Sequence, residues 1–145
     1  MPAARLDVEH LSAGYGPTQV VSDMSFAIDA GHRLAVLGRN GVGKTTLLAT
    51  LMGLTTRHKG QIRIDGQDIA DSRASARARS GIGYVPQTRD IFRSLSVEEN
   101  LVATARPGRD GAWTLPRVLK LFPRLDERRR QLAKTLSGGE QQMLA

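Results

Sequence analysis

The segment GRNGVGKT, residues 38–45, constrains this chain more than any other part of its sequence. It fits the pattern G-x-x-x-x-G-K-[ST] at every fixed position, and its glycines let the backbone bend so that successive N–H groups converge on phosphate oxygens. In this pattern Lys44 reaches the β- and γ-phosphates of a nucleotide, and the hydroxyl of Thr45 is a ligand of Mg²⁺. The alternative is a glycine turn with an exposed lysine, but it does not explain why the pattern joins an apolar run to a helical one.

The residues before the loop predict mostly strands. Alternating apolar and polar residues at 4–16 indicate an edge strand that ends in Gly and Pro, and residues 20–31 indicate a second strand with its turn. The run RLAVLG, residues 33–38, is nearly all apolar. It therefore predicts a central parallel strand with both faces covered.

The residues after the loop predict helices with two further strands. Helical spacing begins at Lys44 and stops at Gly53. Strands are predicted at 60–66 and 82–86, on either side of a polar helix at 71–80. From Ser96, which has the character of an N-cap with two glutamates in the next turn, the chain is predicted to be helical throughout.

A second glycine motif, LSGGE at residues 136–140, narrows the class of protein. It follows the phosphate loop within predicted helical sequence, and with it the chain resembles the ATP-binding cassette (ABC) ATPases over essentially its whole length. The resemblance implies an α/β phosphate-loop NTPase fold with an N-terminal antiparallel β part, an incomplete α/β core and a C-terminal helical part. It assigns the β and phosphate-loop core to residues 1–94 and the helical part, with the signature motif, to residues 95–145.

The same resemblance implies the roles of single residues. Tyr15 matches the aromatic residue that stacks on adenine. Gln87, in YVPQ, matches the glutamine that contacts Mg²⁺ and the attacking water, which makes it the candidate catalytic residue and, with Thr45, a metal ligand. Taken alone, Tyr15 would be an ordinary aromatic at a strand end and Gln87 an ordinary loop amide. The residues expected to bind the nucleotide are Tyr15, Gly38, Asn40, Gly41, Gly43, Lys44, Thr45, Thr46, Ser137, Gly138 and Gly139.

The resemblance also implies cofactors and partners. Two phosphate-binding helix starts on one chain cannot easily serve one nucleotide, so a second ATPase subunit is expected in a head-to-tail dimer. In it, residues 137–139 would contact the γ-phosphate of ATP held by the opposite subunit. ATP and Mg²⁺ are the implied cofactors. Transmembrane permease subunits and, indirectly, an extracytoplasmic solute-binding protein are the other implied partners.

The expected location is cytoplasmic and peripheral, at the inner face of the cell membrane. Asp7 and Glu9 stand where a signal peptide would need its apolar stretch, and no apolar run is long enough to cross a bilayer.

Within the ABC family, the stretches GRNGVGKTTLL, IFRSLSVEENL and residues 121–145 are most similar to ATPase subunits of branched-chain amino-acid uptake systems. The importers of urea and short amides are close relatives of these. The stretch VPQTRDIF departs from the form VPEGRxIF that is common in the branched-chain group and is nearer to the urea type. The transported substrate therefore stays open.

The resemblance further implies segments that this sequence does not contain. ABC ATPases continue past the signature helix into an apolar strand ending in Asp and Glu, which hold Mg²⁺ and polarise the attacking water, and then into a loop with a catalytic His. We therefore expect the sequence to be the N-terminal portion of such an ATPase. We also expect its 145 residues alone to hydrolyse no ATP and to be poorly stable, because RLAVLG would lack a neighbouring strand.

The net charge of +7 raises the question of a nucleic-acid partner. The arginines are scattered, and the one run, ERRRQ at residues 127–131, is typical of a solvated helix face. Neither a zinc-finger spacing nor an RNA-binding aromatic motif is present, so no nucleic-acid partner is predicted.

Two alternative functions remain open. One is a truncated, non-hydrolysing nucleotide-binding module. The other is a DNA-repair or chromosome-type ABC ATPase, which would normally separate the two motifs by a long coiled coil, whereas residues 46–136 carry no sustained heptads.

Overall fold

The computed structural model describes residues 4–105 and 113–145. By their packing the residues divide into a first unit, Met1–Tyr84, and a second unit, Val85–Ala145. The division of the chain into a core at 1–94 and a helical part at 95–145 stays a prediction. Most of the glycine-containing link predicted at residues 105–113 lies outside the described residues.

The first unit is built on a four-stranded antiparallel sheet. Its strands are β1 (Leu6–Tyr15), β2 (Thr18–Ile28), β3 (Thr56–Ile64) and β4 (Gln67–Asp68), in the spatial order β2-β1-β3-β4. The predictions of β1, β2 and β3 are confirmed.

The prediction that β1 is an edge strand is wrong, because β1 pairs with β2 on one side and with β3 on the other. The burial of β1 does not alternate along its whole length, because residues 11–14 are buried consecutively where its pairing register with β2 shifts.

Two helices pack with this sheet in the first unit. Helix α1 (Lys44–Leu51) follows the phosphate loop, and α2 (Ala74–Ser80) is the predicted polar helix. Their core joins the apolar sides of the sheet and of α1. Its buried members are Val8, Leu11, Ala13, Val21, Leu47, Ile62 and Ile69.

The strands predicted at 33–38 and 82–86 are not present in the described residues. Of these two segments, Val36 and Ile82 pack partly against the core of the sheet. A parallel strand also needs neighbours for its N–H and C=O groups. The sheet of the described residues is antiparallel and includes neither segment, so Leu37 is left 89% exposed.

The second unit is helical, as predicted, although its helices are short. They are α3 (Val97–Ala103), α4 (Leu115–Leu121), α5 (Pro123–Glu127) and α6 (Gly138–Leu144), with a 3₁₀ turn at Ala133–Thr135. The predicted N-cap is confirmed: the Ser96 side chain accepts a hydrogen bond from the Glu99 backbone N–H, and the Glu99 carboxylate accepts one in return from the Ser96 N–H.

The helices of the second unit share one core, separate in its membership from that of the sheet. Its buried residues are Val97, Leu119, Leu125, Ala133, Leu136 and Leu144. The prediction that the chain is helical throughout from Ser96 is wrong at residues 128–132, because α5 ends at Glu127 and the chain turns before the Ala133–Thr135 segment. Residues 4–105 and 113–145 contain no helix long and apolar enough to cross a membrane.

Candidate functional site

The phosphate loop, residues 38–45, is held against strand β2. Gly41 and Gly43 have φ angles of 84° and 97°, in the left-handed region that side chains with a Cβ rarely adopt. A Cβ atom at Gly43 would lie 3.2 Å from Val20 Cγ1 and 3.3 Å from the Val20 carbonyl oxygen. Glycine at position 43 therefore serves both the turn into α1 and the close approach of the loop to β2.

The Lys44 side chain folds back across this loop. Its Nζ donates hydrogen bonds to the carbonyl oxygens of Gly38 and Arg39, each at 2.7 Å. An ammonium group has three N–H donors, so this arrangement leaves one for another acceptor. The charge lies at the N-terminal end of α1, where the helix dipole is also positive. Two positive features side by side repel each other, and an anion bound between them relieves that repulsion.

The first turn of α1 adds backbone donors. No side chain of the described residues caps this end of the helix, so its first N–H groups have no side-chain acceptor. Thr45 and Asn40 are exposed. Thr46 is buried, so what it offers a ligand is its backbone N–H rather than its hydroxyl. The loop therefore combines a cation, free backbone N–H groups and an exposed hydroxyl, which fit a nucleotide phosphate and its Mg²⁺.

A cleft of about 290 Å³ lies beside the loop. Its walls are mostly apolar, from β2, residues 36–37 and α1, and Lys44 is the charged residue that lines it. A larger cavity, of about 530 Å³, is lined by Glu9 and Arg57 among others, and none of the predicted site residues borders it. The chemistry of the loop therefore identifies the site better than cavity size does.

Tyr15 lies at the end of the β1–β2 hairpin. Tyr15 pairs with Thr18 of β2, and its side chain is exposed. Thr18 stands two residues before Val20, the residue that Gly43 approaches. In the first unit, Tyr15 of β1 and Gly43 of the phosphate loop thus lie against neighbouring residues of β2, Thr18 and Val20. The stacking of Tyr15 on adenine stays a prediction.

The signature motif begins helix α6 in the second unit. The Ser137 side chain accepts from the Glu140 N–H at 3.3 Å, and the Glu140 carboxylate accepts from the Ser137 N–H at 2.8 Å and pairs with Arg128 at 2.7 Å. A Cβ atom at Gly139 would meet nothing within 4 Å among residues 4–105 and 113–145. Packing within this part of the chain thus gives no reason for glycine at position 139, whereas close approach of a ligand or another chain does.

Gln87 is exposed in a turn closed by the hydrogen bond from Arg89 N–H to the Pro86 carbonyl, at 3.1 Å. The Arg89 Nε donates to Gln142 Oε1 of α6 at 3.2 Å, and the guanidinium lies about 3.4 Å from where a Gly138 Cβ would stand. The second unit therefore brings the Gln87 turn and the signature helix together through Arg89. This contact could not be predicted from the sequence, because Arg89 and Gln142 are far apart in the chain.

Two other polar residues, Arg77 and Asn100, are buried although their sequence context does not indicate it. Arg77 of α2 donates to backbone carbonyls at the end of α1, and Asn100 of α3 binds the backbone of Phe92. In the sequence, Arg77 stands in an arginine-alanine alternation, which does not indicate which arginine is buried.

Acid is expected to weaken the second unit. The side-chain hydrogen bond from Arg129 lowers the pKa of Glu98, and the backbone hydrogen bond from Ser137 lowers the pKa of Glu140. Because folding lowers both pKa values, the stabilisation is complete above their ordinary value of 4.5 and is lost as the pH falls through the lower folded values. Far-UV circular dichroism of the chain should show loss of helix as the pH falls below 4.5. The double variant Glu98→Gln, Glu140→Gln should flatten this dependence, and an unchanged acid titration would contradict the assignment.

A protein-family model described as ABC transporter matches residues 21–145. Among curated proteins, the chain is 41% identical over 142 residues to the high-affinity branched-chain amino acid transport ATP-binding protein BraG of Pseudomonas aeruginosa, covering 97% of this chain and 61% of BraG. It is 38% identical over 141 residues to the lipopolysaccharide export system ATP-binding protein LptB of Escherichia coli, covering 94% of this chain and 58% of LptB. The chain thus spans about three fifths of the length of these relatives.

A solved structure titled as the ATP binding subunit of an ABC transporter superposes on the chain with a TM-score of 0.79 and 31% identity, over 96% of this chain and 58% of that one. The structural likeness confirms the predicted fold class, and the family match confirms the resemblance seen in the two glycine motifs. The chain belongs to the ABC transporter family.

Proposed function

We propose that this chain forms the nucleotide-binding part of an ATPase subunit in an ABC importer, and that it binds ATP with Mg²⁺ at residues 38–45. The observation that carries the proposal is the position of Lys44, whose ammonium lies on the loop carbonyls at the positive end of α1. The family to which the chain belongs supports it.

In this proposal each part of the loop has a distinct task. The backbone N–H groups after Gly41 bind phosphate oxygens, and Lys44 binds the β- and γ-phosphates. The exposed Thr45 hydroxyl holds Mg²⁺, which neutralises phosphate charge when bound. The hairpin with Tyr15 supplies an aromatic face for the adenine ring.

The second unit carries two further groups with proposed roles. Gln87 orients the attacking water and contacts Mg²⁺. The start of α6, at residues 137–139, meets the γ-phosphate of ATP held by a second subunit in a head-to-tail dimer. Gly139 is exposed and a Cβ atom there would meet none of the described residues, which supports this assignment.

The proposed substrates are branched-chain amino acids, with urea or short amides as the nearest alternatives. The similarity to BraG supports uptake of branched-chain amino acids, and the similarity to LptB favours lipopolysaccharide export as the second candidate. The proposed location is the cytoplasmic face of the cell membrane, where the chain would bind permease subunits. An extracytoplasmic solute-binding protein would deliver the substrate to those permease subunits. No nucleic-acid partner is part of the proposal.

The test is reconstitution of the subunit with its permease in vesicles, followed by ATP-driven uptake of radiolabelled leucine, urea and acetamide, with phosphate release measured in parallel. Leucine uptake coupled to phosphate release is expected. Tight ATP binding without phosphate release would instead favour the non-hydrolysing module. Binding and hydrolysis stimulated by DNA rather than by permease would favour the repair-type ATPase.

The segment after Gln87 is the proposed contact with the permease. Phe92 is 52% exposed although its backbone is fixed: the Asn100 side chain accepts from the Phe92 N–H at 2.8 Å and donates to the Phe92 carbonyl at 2.9 Å. Its neighbour Ile91, in contrast, packs partly into the core of the second unit. Phe92 is therefore the apolar anchor that this segment offers a partner.

Replacing Phe92 with Asp in the assembled transporter should leave ATP affinity unchanged and lower uptake by about 10-fold or more, since losing a buried aromatic anchor typically costs an interface at least this much. Val102→Asp is the matched control, because Val102 is exposed to a similar degree in the same unit. If Phe92→Asp and Val102→Asp transported equally well, the permease contact would have to lie elsewhere.

A further inference from the structure

The turn that carries Gln87 has a strained backbone. Arg89 and Asp90 have φ angles of 68° and 27°, in the left-handed region that residues with a Cβ rarely adopt. Such a conformation is unfavourable for both residue types, so it persists only where surrounding contacts hold it in place. The contacts made by residues 86–90 therefore show what determines the position of Gln87.

Two hydrogen bonds lie within this turn. The Arg89 N–H donates to the Pro86 carbonyl at 3.1 Å, and the Thr88 hydroxyl donates to the Asp90 carboxylate at 2.7 Å. Both bonds join residues of the turn to each other. They fix the shape of the turn, but they do not fix its place within the second unit.

The Arg89 side chain joins the turn to helix α6. Its Nε donates to Gln142 Oε1 at 3.2 Å, and its two terminal nitrogens lie 3.4 and 3.7 Å from where a Gly138 Cβ would stand. Gly138 and Gln142 are four residues apart, so they lie on the same face of α6. The guanidinium therefore lies along one face of this helix, close to the signature glycines.

Helix α6 is itself firmly held. Ser137 and Glu140 form a capping box, and Glu140 also makes an ion pair at 2.7 Å. Leu136, just before the helix, and Leu144, its last residue, are buried in the core of the second unit. Coupling between two groups is carried by such rigid elements and the hydrogen bonds that join them. A displacement of the start of α6 therefore also displaces the guanidinium that is bonded to it.

We propose that Arg89 is a positioning residue for ATP hydrolysis. It fixes the Gln87 turn to α6, so that binding of the second subunit's ATP to residues 137–139 sets the position of the Gln87 side chain. The inference rests on the proposed function, which assigns the attacking water to Gln87 and the γ-phosphate to residues 137–139. It adds that these two groups act together, and it names the side chain that links them.

The test uses the subunit assembled with its permease, with ATP affinity and phosphate release measured separately. Gln142→Met removes the acceptor and keeps the length of the side chain, whereas Arg89→Met removes the donor. Each should lower kcat about 10-fold, the size expected for loss of one hydrogen bond from a charged donor, and should leave the Kd for ATP unchanged. Arg130→Met is the matched control, because it removes the same charge from an exposed residue of the second unit, and it should leave kcat unchanged.

Two further variants distinguish the Arg89–Gln142 bond from general damage to the fold. The double variant Arg89→Met, Gln142→Met should be about as slow as either single variant, because both changes remove the same bond. Losses that multiply to about 100-fold would show that the two residues act separately, and would contradict the inference. Gln142→Glu keeps an acceptor oxygen on a side chain of the same length, so it should retain the hydrolysis that Gln142→Met loses.

Hydrogen exchange of the assembled transporter gives a readout that does not depend on turnover. The Arg89 N–H is protected from exchange while it donates to the Pro86 carbonyl. Gln142 is far from the turn in the sequence, yet Gln142→Met should make residues 86–90 exchange faster. Arg130→Met should leave their exchange unchanged.

Unchanged kcat in both methionine variants would overturn the inference, as would unchanged exchange of residues 86–90 in Gln142→Met. Either result would leave the proposed function intact if Gln87→Ala still slowed phosphate release. If Gln87→Ala instead hydrolysed ATP at the unmodified rate, the proposed role of Gln87 would fail, and the role of Arg89 would fail with it. An equal loss in Arg130→Met would assign the effect to net charge and not to Arg89.

Discussion

Replacing Lys44 with alanine is expected to weaken ATP binding by more than 100-fold. The ammonium is the charged group that lines the cleft beside the phosphate loop, and it lies among the loop carbonyls at the start of α1. The ammonium keeps one donor beyond its two loop carbonyls, and exchanging one of those carbonyls for a phosphate oxygen gives it two charge-assisted hydrogen bonds to phosphate. At about 1.5–3 kcal/mol each, these account for at least about 3 kcal/mol of binding free energy. Isothermal titration calorimetry with ATP and Mg²⁺ measures the loss directly, and 3 kcal/mol corresponds to more than about 100-fold in Kd.

The matched control for Lys44→Ala is Arg39→Ala. Arg39 lies in the same loop and is exposed, and its part in the loop geometry is its backbone carbonyl, which alanine retains. Its removal should change ATP affinity only a few-fold, through the general field of one charge at an exposed site. If Lys44→Ala bound ATP as tightly as the unmodified chain, the assignment of the loop would be wrong. If Arg39→Ala lost as much affinity as Lys44→Ala, net charge and not the position of Lys44 would be decisive.

Replacing Arg77 with alanine is expected to lower the free energy of unfolding of the first unit by about 3 kcal/mol or more, because each buried carbonyl that loses its hydrogen-bond donor costs about 1–3 kcal/mol. Arg77 is 3% exposed. Its guanidinium donates to four backbone carbonyls, those of Thr50, Leu51, Ala70 and Ser72, at 2.6–2.9 Å. The Thr50 carbonyl also accepts from the Gly53 N–H at 2.9 Å, so it keeps a partner without Arg77. Alanine would remove the guanidinium donors from the other carbonyls and would open a cavity.

Denaturant unfolding measures this effect, and Arg79→Ala is its control because Arg79 is exposed on the same helix. Burial lowers the pKa of Arg77, and the positive charge of Arg57 lowers it further, but an arginine stays protonated at neutral pH. Arg77→Lys should recover only part of the lost free energy of unfolding. A single ammonium cannot donate to as many separate carbonyls as the planar guanidinium does. A change below about 1 kcal/mol in Arg77→Ala would mean that water replaces the guanidinium and that Arg77 is not what holds the end of α1.

The features predicted from the sequence are those that neighbouring residues determine. The Ser96 cap depends on Glu99, three residues away, and the turn into α1 depends on the backbone freedom of Gly43. The start of α6 at Ser137 follows the same rule. A short segment contains all the atoms that decide such features, so its sequence is sufficient to predict them.

The features that could not be predicted depend on residues distant in the chain. Whether residues 33–38 form a strand depends on a partner strand, and an apolar run indicates burial without specifying that partner. The burial of Arg77 depends on carbonyls more than twenty positions earlier, and the contact of Arg89 with Gln142 joins residues more than fifty positions apart. Such contacts are set by tertiary packing, which the composition of a helix does not encode.

The hydrogen bonds of Lys44 to the Gly38 and Arg39 carbonyls mean that the loop is ordered before any anion arrives. The conformational entropy of fixing this segment is therefore lost during folding and not during binding. A preorganised loop captures its ligand by simple docking, at a rate set by diffusion and orientation, with no slower ordering step. The lysine thus holds the Gly38 and Arg39 carbonyls on one ammonium, and the same ammonium is in place to bind a phosphate when it arrives.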